Sequence, residues 1–470
     1  MNQYAVIIIG AGQAGMPLAR ALASAGKRTA LIERKHVGGS CINFGCTPTK
    51  AAITSARVAH VARRASDFGI RIPTVEVDFP AVIKRARRIV DEYRSGIERG
   101  FAGSENPKLI PGQARLNGRD GQRFRVLVGD ETVLADHVVL DSGTRSVIPP
   151  IDGIADISVI HAGNWLDHDR LPQRLIVIGG GVIALEMAQF YRRLGADVVV
   201  IEALSRIAGT EDNDVAQALQ ELLEREGIEF HVDTKIQHVK KSGNGLVVQT
   251  DKGEIAGTDI FVAAGRKPNT DDLGLETVGV KTNRGIVEVN ERLATNVPGV
   301  WAAGDIRGGP MFTHTAWDDY RVVYSQLAGD GSRTTERVVP YAIFTDPEVG
   351  RVGMTEAQAR QSGKRIKVAR FEIRRNSKSE EIGETDGFIK LIADADTDQL
   401  LGAAVLSYDA AELVHIYIDL MNARAPLSVI RNAVYIHPTL AEAVQSAAMM
   451  MEPAVRATKA TAGDSSEHPL

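Results

Sequence analysis

The sequence predicts an α/β protein with two similar strand–turn–helix–strand units and a carboxy-terminal α+β region. Three observations lead to this prediction: a glycine-rich turn near residue 10, a second near residue 179, and a change of pattern after residue 337. The chain has 470 residues, which at roughly 150 residues per domain suggests about three domains with separate cores.

The first unit is the segment YAVIIIGAGQAGMPLARALASAGKRTALIER. Gly10, Gly12 and Gly15 form a G-x-G-x-x-G turn after the apolar run 6–9, and Glu33 ends the second strand. The glycines let the backbone approach a pyrophosphate, and the helix amino end supplies N–H groups and a positive dipole end. Glu33 can accept a hydrogen bond from a ribose hydroxyl, so this unit predicts a dinucleotide site.

The second unit is RLIVIGGGVIALEMAQFYRRLGADVVVIE. Gly179, Gly181 and Ala184 give G-x-G-x-x-A, and Glu202 lies as far beyond its first glycine as Glu33 lies beyond Gly10. Two dinucleotide sites do not fit an ordinary dehydrogenase that binds a single cofactor. They suggest a flavin together with a nicotinamide.

Both cysteines of the chain, Cys41 and Cys46, lie in the short stretch GGSCINFGCTPTK. A metal pair, a structural disulfide and a redox centre are the three interpretations. In a reducing compartment a close pair is more often catalytic or metal-binding than structural. A structural zinc needs four ligands, and no Cys/His cluster adjoins this pair, so we predict no metal site. The two nucleotide units can deliver electrons and favour the redox interpretation.

Composition limits the partners. The net charge of −4 indicates no polyanionic partner, and the charged segment 84–99 is typical of a solvated helix face rather than a nucleic-acid site. No apolar run approaches the ~20 residues of a membrane span, and the amino terminus has no signal-peptide pattern. We therefore expect a cytoplasmic protein with no membrane or nucleic-acid partner.

Met449–Met451 is more typical of an apolar contact or a frayed end than of a Cu(I) site.

Several ordered motifs resemble the FAD-dependent pyridine nucleotide–disulfide oxidoreductases, which include dihydrolipoamide dehydrogenase, glutathione reductase and mercuric reductase. The motifs are GAGQAG, GGSCINFGCTPTK, GGGVIALE, AAGRKPN, VWAAGDI, FTDPEVGRVG and HPTLAE. The resemblance covers nearly the whole chain. It implies a split FAD-binding domain at 1–148 and 268–337, an NAD(P)-binding domain at 149–267, a dimerisation domain at 338–455 and a disordered tail at 456–470.

The resemblance also implies a set of cofactor contacts, with one FAD in each subunit. Glu33 would bind the adenosine ribose of FAD, Asp305 would hold the ribityl or pyrophosphate side, and Glu186 would lie near the nicotinamide. The predicted cofactor-binding residues are Gly10, Gly12, Gly15, Glu33, Gly39, Ser40, Lys50, Asp305, Gly179, Gly181, Glu186, Glu202 and Gly265.

Five residues are implied to be catalytic: Cys41, Cys46, Lys50, His437 and Glu442. By the resemblance, Cys46 sits against the flavin and Cys41 attacks the substrate. Lys50 pairs with Glu186 beside the flavin. His437, oriented by Glu442, carries the proton of the exchanging thiol and reaches the disulfide of the other subunit. The implied assembly is therefore a homodimer with composite active sites.

The sequence also bears on the choice between NADH and NADPH and on the substrate. The carboxylate of Glu202 favours NADH, because it would repel a 2′-phosphate, while Arg206 leaves NADPH possible. The segments around GCTPTK and FTHTAWDDYR resemble the mercuric-reductase-like branch that includes a reactive-chlorine-resistance flavoprotein. The expected acceptor is a disulfide, a metal ion or another small oxidant.

Two alternatives remain open. Dihydrolipoamide dehydrogenase is favoured by the His437–Glu442 pair and disfavoured by TPTK, by DSGT where Ala-Thr-Gly is typical, and by WDDYR. The absence of a further cysteine pair weakens the assignment of mercury as substrate, since soft Hg(II) is captured by thiolates. The alternative from another class is a non-turnover redox sensor that uses the same disulfide.

Overall fold

The structure is a computed structural model that describes residues 1–451. It divides into two compact units, Met1–Val349 and a second that begins at Gly350. The predicted tail at 456–470 lies outside the described residues. The elements of residues 1–148 are β1 (Gln3–Ile9), α1 (Gly15–Ser24), β2 (Thr29–Glu33), α2 (Gly39–Asn43), α3 (Cys46–Arg63), α4 (Phe79–Phe101), β3 (Lys108–Pro111), β4 (Ala114–Asp120), β5 (Arg123–Val128), β6 (Glu131–Leu140) and β7 (Thr144–Ser146).

The chain then forms a second α/β region and returns to the first. The elements that follow β7 are β8 (Ile160–His161), β9 (Arg174–Ile178), α5 (Val182–Leu194), β10 (Asp197–Ile201), α6 (Asn213–Arg225), β11 (Ile228–His231), β12 (Ile236–Ser242), β13 (Gly245–Thr250), β14 (Gly253–Gly257), β15 (Asp259–Val262), β16 (Arg266–Pro268), β17 (Thr282–Asn283), β18 (Ile286–Val287), β19 (Val300–Ala302), α7 (Thr313–Ala328), β20 (Pro340–Ile343) and β21 (Glu348–Gly353).

The first sheet has seven strands, in the order β3-β2-β1-β6-β5-β4, with β19 pairing beside β6. The apolar run of β1 is buried between parallel neighbours, as a parallel-sheet strand requires. Strands β4 and β5 extend this sheet, because β6 is long enough to pair with β5 near its start and with β1 along most of its length.

The second sheet has five strands, in the order β11-β10-β9-β15-β8, and the chain forms a three-stranded sheet of β12, β13 and β14 between β11 and β15. Strands β9, β10, β11 and β15 are parallel and apolar, and α5 begins directly after β9. This repeats the arrangement of β1 and α1. The two predicted strand–turn–helix–strand units are therefore present, and the α/β fold class is confirmed.

The second unit is α+β, as predicted for the carboxy-terminal region. Strands β22, β23 and β24 pair antiparallel, and their core includes the wholly buried strand β23. The elements are α8 (Glu356–Gln361), β22 (Ile366–Glu372), α9 (Ser377–Glu381), β23 (Phe388–Asp394), β24 (Leu400–Ser407), α10 (Ala410–Asn422), α11 (Ser428–Arg431) and α12 (Ala441–Met449).

Candidate functional site

The two cysteines lie on consecutive helices at the edge of the first glycine turn. Half-buried Cys41 is in α2, and exposed Cys46 is the first residue of α3, so a helix does begin at this segment. Gly39 has a φ of 61°, in the region that favours glycine. A Cβ at Gly39 would lie 3.0 Å from the Cα of Gly12. The thiol segment therefore packs directly on the turn expected to bind a dinucleotide.

The two thiols differ in acidity. The Cys41 thiol forms a hydrogen bond with Cys46 that lowers the pKa of Cys46 to about 6, with Thr313 and Lys50 adding to the effect against the opposing effect of burial. The same bond, together with burial, raises the pKa of Cys41. The Oγ1 of Thr313 lies 3.1 Å from the Cys46 Sγ. Cys46 is therefore the thiol that ionises first, and Cys41 keeps its proton.

Lys50 is one helical turn beyond Cys46 and pairs with Glu186 of α5, as expected. Its Nζ lies 2.7 Å from the Glu186 Oε2, and Glu186 is only 4% exposed. The Oε1 of Glu186 accepts a hydrogen bond from the backbone N–H of Phe344 at 3.0 Å. The ammonium also lies over the Phe344 ring, 4.4 Å from its centroid. Both charges are thus held in place on facing helices.

The first glycine turn is tied to the end of β2 by Glu33. Its Oε2 accepts from the N–H of Ala11 at 2.9 Å, and its Oε1 accepts from the N–H of Lys35 at 2.8 Å. Within residues 1–451, the backbone N–H groups of Gln13 and Ala14 donate no hydrogen bond. Free N–H groups at the amino end of α1 suit an anionic pyrophosphate.

The second glycine turn repeats this arrangement with Glu202. Its Oε2 accepts from the N–H of Gly180 at 2.6 Å, and its Oε1 accepts from the N–H of Leu204 at 2.7 Å. A Cβ at Gly181 would meet nothing within 4 Å, so this position opens onto free space at the start of α5. Such a cradle matches the second dinucleotide site predicted from the sequence.

Arg206, the residue that could favour NADPH, is engaged with its own loop. Its guanidinium donates to the carbonyl oxygens of Gly209 at 2.9 Å and Glu211 at 3.2 Å. A 2′-phosphate would have to compete with these contacts. The side chain therefore offers less to NADPH than its position in the sequence suggested.

The remaining predicted cofactor-binding residues, Asp305, Gly265 and Ser40, also lie in the first unit. The Oδ2 of Asp305 accepts from the hydroxyl of Thr144 at 2.9 Å and lies 3.9 Å from Arg266 Nε. Gly265 has a φ of 119° and would place a Cβ in open space. Ser40 is exposed on α2, next to Cys41.

His437 and Glu442 form the expected pair in the second unit. The His437 Nδ1 lies 3.1 Å from the Glu442 Oε1, and the other carboxylate oxygen accepts from the N–H of Thr439 at 2.9 Å. The Thr439 bond and His437 lower the pKa of Glu442. Since its side chain is 70% exposed, His437 presents its second ring nitrogen away from Glu442 and open to a reaction partner.

Two functional contacts were not found from the sequence. Thr313 lies 267 positions beyond Cys46 in the chain. The available signal was its place in the motif FTHTAWDDYR, where α7 begins. Asp141 accepts a hydrogen bond from the N–H of Gly15, the third glycine of the first turn, at 2.7 Å. Its position in DSGT, where the resembling family has Ala-Thr-Gly, was the available signal.

The structure adds two findings about other ligands. Within residues 1–451, no three His, Cys, Asp or Glu side chains are grouped as they would be around a metal ion. In the same range, no helix is both long and apolar enough to cross a membrane.

Comparison with known proteins agrees with this site. Residues 4–319 match the pyridine nucleotide-disulphide oxidoreductase family, and residues 339–448 match the dimerisation domain of that family. The chain belongs to this family, whose members are FAD-dependent enzymes that use pyridine nucleotides. Its fold, its class of enzyme and the presence of a dimerisation domain are thereby confirmed.

Particular relatives cover almost the whole chain. One is the probable pyridine nucleotide-disulfide oxidoreductase RclA of Escherichia coli, 33% identical over 450 residues, which are 94% of this chain and 98% of the relative. Another is the dihydrolipoyl dehydrogenase of Cupriavidus necator, 34% identical over 467 residues, 96% of this chain and 98% of the relative. A solved Cu(II) complex of the HOCl-induced flavoprotein disulfide reductase RclA from Escherichia coli superposes with a TM-score of 0.88 at 32% identity, covering 96% of this chain and all of that one.

Proposed function

We propose that this enzyme passes electrons from NADH through FAD to the Cys41–Cys46 disulfide and then to an external disulfide or oxidised metal ion. The asymmetric thiol pair carries the proposal. One thiol that ionises readily beside one that keeps its proton until a base removes it suits thiol–disulfide exchange, in which the attacking sulfur is a thiolate. When bound, FAD would supply the acceptor for the nicotinamide hydride and the donor of electrons to the disulfide.

The residues assigned to FAD fit the group. The free N–H groups of the first turn suit its diphosphate, Glu33 is fixed at the end of β2, and Asp305 follows β19, which pairs beside β6. The Lys50–Glu186 ion pair places a fixed ammonium next to Cys46, where it stabilises negative charge. The pairing of β19 also supports an FAD-binding domain split between 1–148 and 268–337, around an NAD(P)-binding domain at 149–267 and before a dimerisation domain at 338–455.

For a disulfide substrate, the thiol steps are balanced as follows. Cys41 gives its proton to His437 of the second copy, and its thiolate attacks one substrate sulfur, which breaks the substrate S–S bond and forms a mixed disulfide. The released thiolate takes the proton from His437. The Cys46 thiolate then attacks the Cys41 Sγ, which closes the Cys41–Cys46 disulfide and releases the second substrate sulfur as a thiolate that takes its proton from water. The two electrons of one NADH restore the dithiol. A metal acceptor would instead take these electrons one at a time, as two Cu(II) to two Cu(I).

NADH is the proposed reductant. Glu202 is held by two backbone N–H groups at the second turn, so its carboxylate is fixed where it accepts from a ribose diol and repels a phosphate. Arg206 already donates to two carbonyl oxygens. We therefore expect NADPH to be used with a higher KM.

Among acceptors, the RclA-like assignment is favoured over a mercuric-reductase-like one. The RclA structure is a Cu(II) complex, and this chain resembles it over 96% of its length. The chain has two cysteines, so it lacks the extra thiolates that capture and transfer Hg(II). Lipoamide remains the second candidate, because the His437–Glu442 pair and the dihydrolipoyl dehydrogenase relatives favour disulfide exchange.

Anaerobic reduction by NADH tests the proposal. The wild type should develop a long-wavelength thiolate-to-flavin absorption band, the Cys41→Ser variant should show such a band without reductant, and the Cys46→Ser variant should lack it. If neither substitution alters the flavin spectrum, the assignment of the disulfide is wrong.

Steady-state assays with NADH and lipoamide, glutathione disulfide, Cu(II), Hg(II), quinone or oxygen then identify the acceptor. A redox sensor would show the spectral changes without sustained turnover of any acceptor. A Cys-dependent rate with a disulfide or Cu(II) contradicts the sensor alternative. A rate that is equal in the Cys41→Ser variant contradicts transfer through the disulfide.

A further inference from the structure

Asp141 is a buried carboxyl group immediately after β6, in the DSGT segment that departs from the family pattern. It is 6% exposed, and its Oδ2 accepts from the N–H of Gly15 at 2.7 Å. Within residues 1–451 this is the one hydrogen bond that its side chain makes. A buried carboxyl group usually has more partners than this when it is ionised.

The carboxyl group fills the space between two segments that face the FAD site. A Cβ at Gly12 would lie 2.7 Å from its Oδ2, and a Cβ at Gly15 would lie 3.0 Å from the same atom. On the other side, a Cβ at Gly304, the residue before Asp305, would lie 2.7 Å from its Oδ1. Asp141 therefore lies directly beneath the glycine turn, where only glycine leaves room for it.

Three carboxylates act on Asp141. Burial raises the pKa of Asp141 well above its usual range, and the carboxylates of Asp305, Asp319 and Glu33 raise it further, against the effect of the Gly15 N–H bond. These carboxylates come from the segment after β19, from α7 and from the end of β2.

The nearby cations have other partners. Arg307 and Arg337 bind Asp319 at 2.7 Å and 2.6 Å, and Arg266 lies 3.9 Å from Asp305. No hydrogen bond or ion pair joins any of the three to Asp141 among the described residues. Ionised Asp141 would therefore stand uncompensated under a ligand that itself carries two negative phosphates.

We propose that Asp141 belongs to the FAD site as a neutral carboxylic acid, and that loss of its proton weakens FAD binding. Protonated, the group accepts from Gly15 through Oδ2 and carries its O–H on Oδ1, on the side of Gly304, without a net charge beneath the turn. Ionised, it adds a negative charge at the same place. The inference rests on the FAD site proposed above, and it makes retention of the cofactor depend on pH.

The direction of the pH effect follows from linkage. Binding of the anionic diphosphate favours the protonated acid, so FAD affinity is full below the pKa of Asp141 in the free protein. Above that pKa, one proton must be taken up for each FAD bound, and the Kd rises by about tenfold per pH unit until the pKa of the bound form is reached.

The test measures free FAD after dilution and ultrafiltration of the holoprotein, over a pH series from about pH 6 to about pH 10. The wild-type Kd should rise by at least about tenfold across this range. Asp141→Asn, which keeps the shape of the neutral acid, should hold the Kd within about twofold of its value at low pH. Asp136→Asn removes an exposed carboxylate from β6, the strand that ends just before Asp141, and should retain the wild-type profile.

Each other outcome has a definite meaning. A wild-type Kd that does not change with pH, or a parallel rise in Asp141→Asn, overturns the role of Asp141. A folded wild type that binds no FAD at any pH instead contradicts the proposed function. A wild-type curve that does not rise overturns the proposal even where the variant fails to fold, and no part of the test depends on turnover.

Discussion

At the scale of single residues, the two thiols differ because their neighbours differ. Cys46 starts a helix and receives hydrogen bonds from Cys41 and Thr313, with Lys50 nearby, and each of these contacts stabilises a thiolate. Cys41 is on the preceding short helix and donates to Cys46, so ionising it would place two negative charges side by side. The hydrogen bond between the two cysteines therefore sets the order of ionisation, while Thr313 and Lys50 lower the pKa of both thiols.

Thr313 provides a way to change the acidity of Cys46. Replacing Thr313 by Val removes the hydroxyl that lies 3.1 Å from the Cys46 Sγ and should raise the pKa of Cys46 by about one unit. The pKa is measured from the pH dependence of iodoacetamide alkylation in the Cys41→Ser background, where Cys46 is the one remaining thiol. Thr313→Ser keeps the hydroxyl and should keep the pKa. Equal alkylation profiles for the Val and Ser variants would contradict a role for the hydroxyl.

At the scale of elements, α3 and α5 are the two helices on which the site depends, and they are joined twice. The Lys50–Glu186 pair joins them near their amino ends. Further along, Asp346 accepts from Arg57 of α3 and Arg193 of α5. Burial alone would raise the pKa of Asp346, but the two guanidinium groups outweigh it and lower the pKa. The carboxylate therefore stays charged between the helices.

Asp346→Asn should destabilise the first unit. The substitution keeps the side-chain volume but leaves two guanidinium groups without their shared carboxylate, and Arg193 is only 5% exposed. Breaking a buried ion pair costs about 3 kcal/mol of the free energy of unfolding. Urea unfolding followed by ellipticity measures the loss. Asp136→Asn breaks the exposed pair with Arg123 and should cost less than about 1 kcal/mol. Similar losses of unfolding free energy in both variants would contradict a larger contribution from the buried ion pairs.

The sequence predicted those parts of the site that are local or belong to a known pattern. The glycine turns and the His437–Glu442 pair each depend on residues close in the chain. The Lys50–Glu186 pair came from the resemblance, because 136 residues separate its members. Thr313 and Asp141 could not be predicted in the same way. Each makes its contact across more than a hundred residues, and burial and hydrogen bonding assign their roles only in the folded chain.

At the scale of the whole molecule, the dyad and the thiols belong to different compact units, and the dyad is open to solvent. His437 is 70% exposed, and nearby Val434 and Ile436 are 99% and 78% exposed. Exposed apolar side chains beside an exposed histidine are typical of a surface that a partner covers. The family dimerisation domain spans this region, so a second copy of the chain is the expected partner.

Mixed dimers distinguish a composite site from one built within a single chain. Cys41→Ser and His437→Ala homodimers should each lack disulfide turnover. If each site joins the thiols of one chain to His437 of the other, a mixed dimer has one site with both defects and one site with none. Co-expression of the two variants yields about half mixed dimers by random pairing, so about a quarter of the wild-type activity should return.

If each site lay within one chain, both sites of the mixed dimer would be defective and no activity would return. Two differently tagged chains purified through both tags isolate the mixed dimer, which should then show about half the wild-type rate.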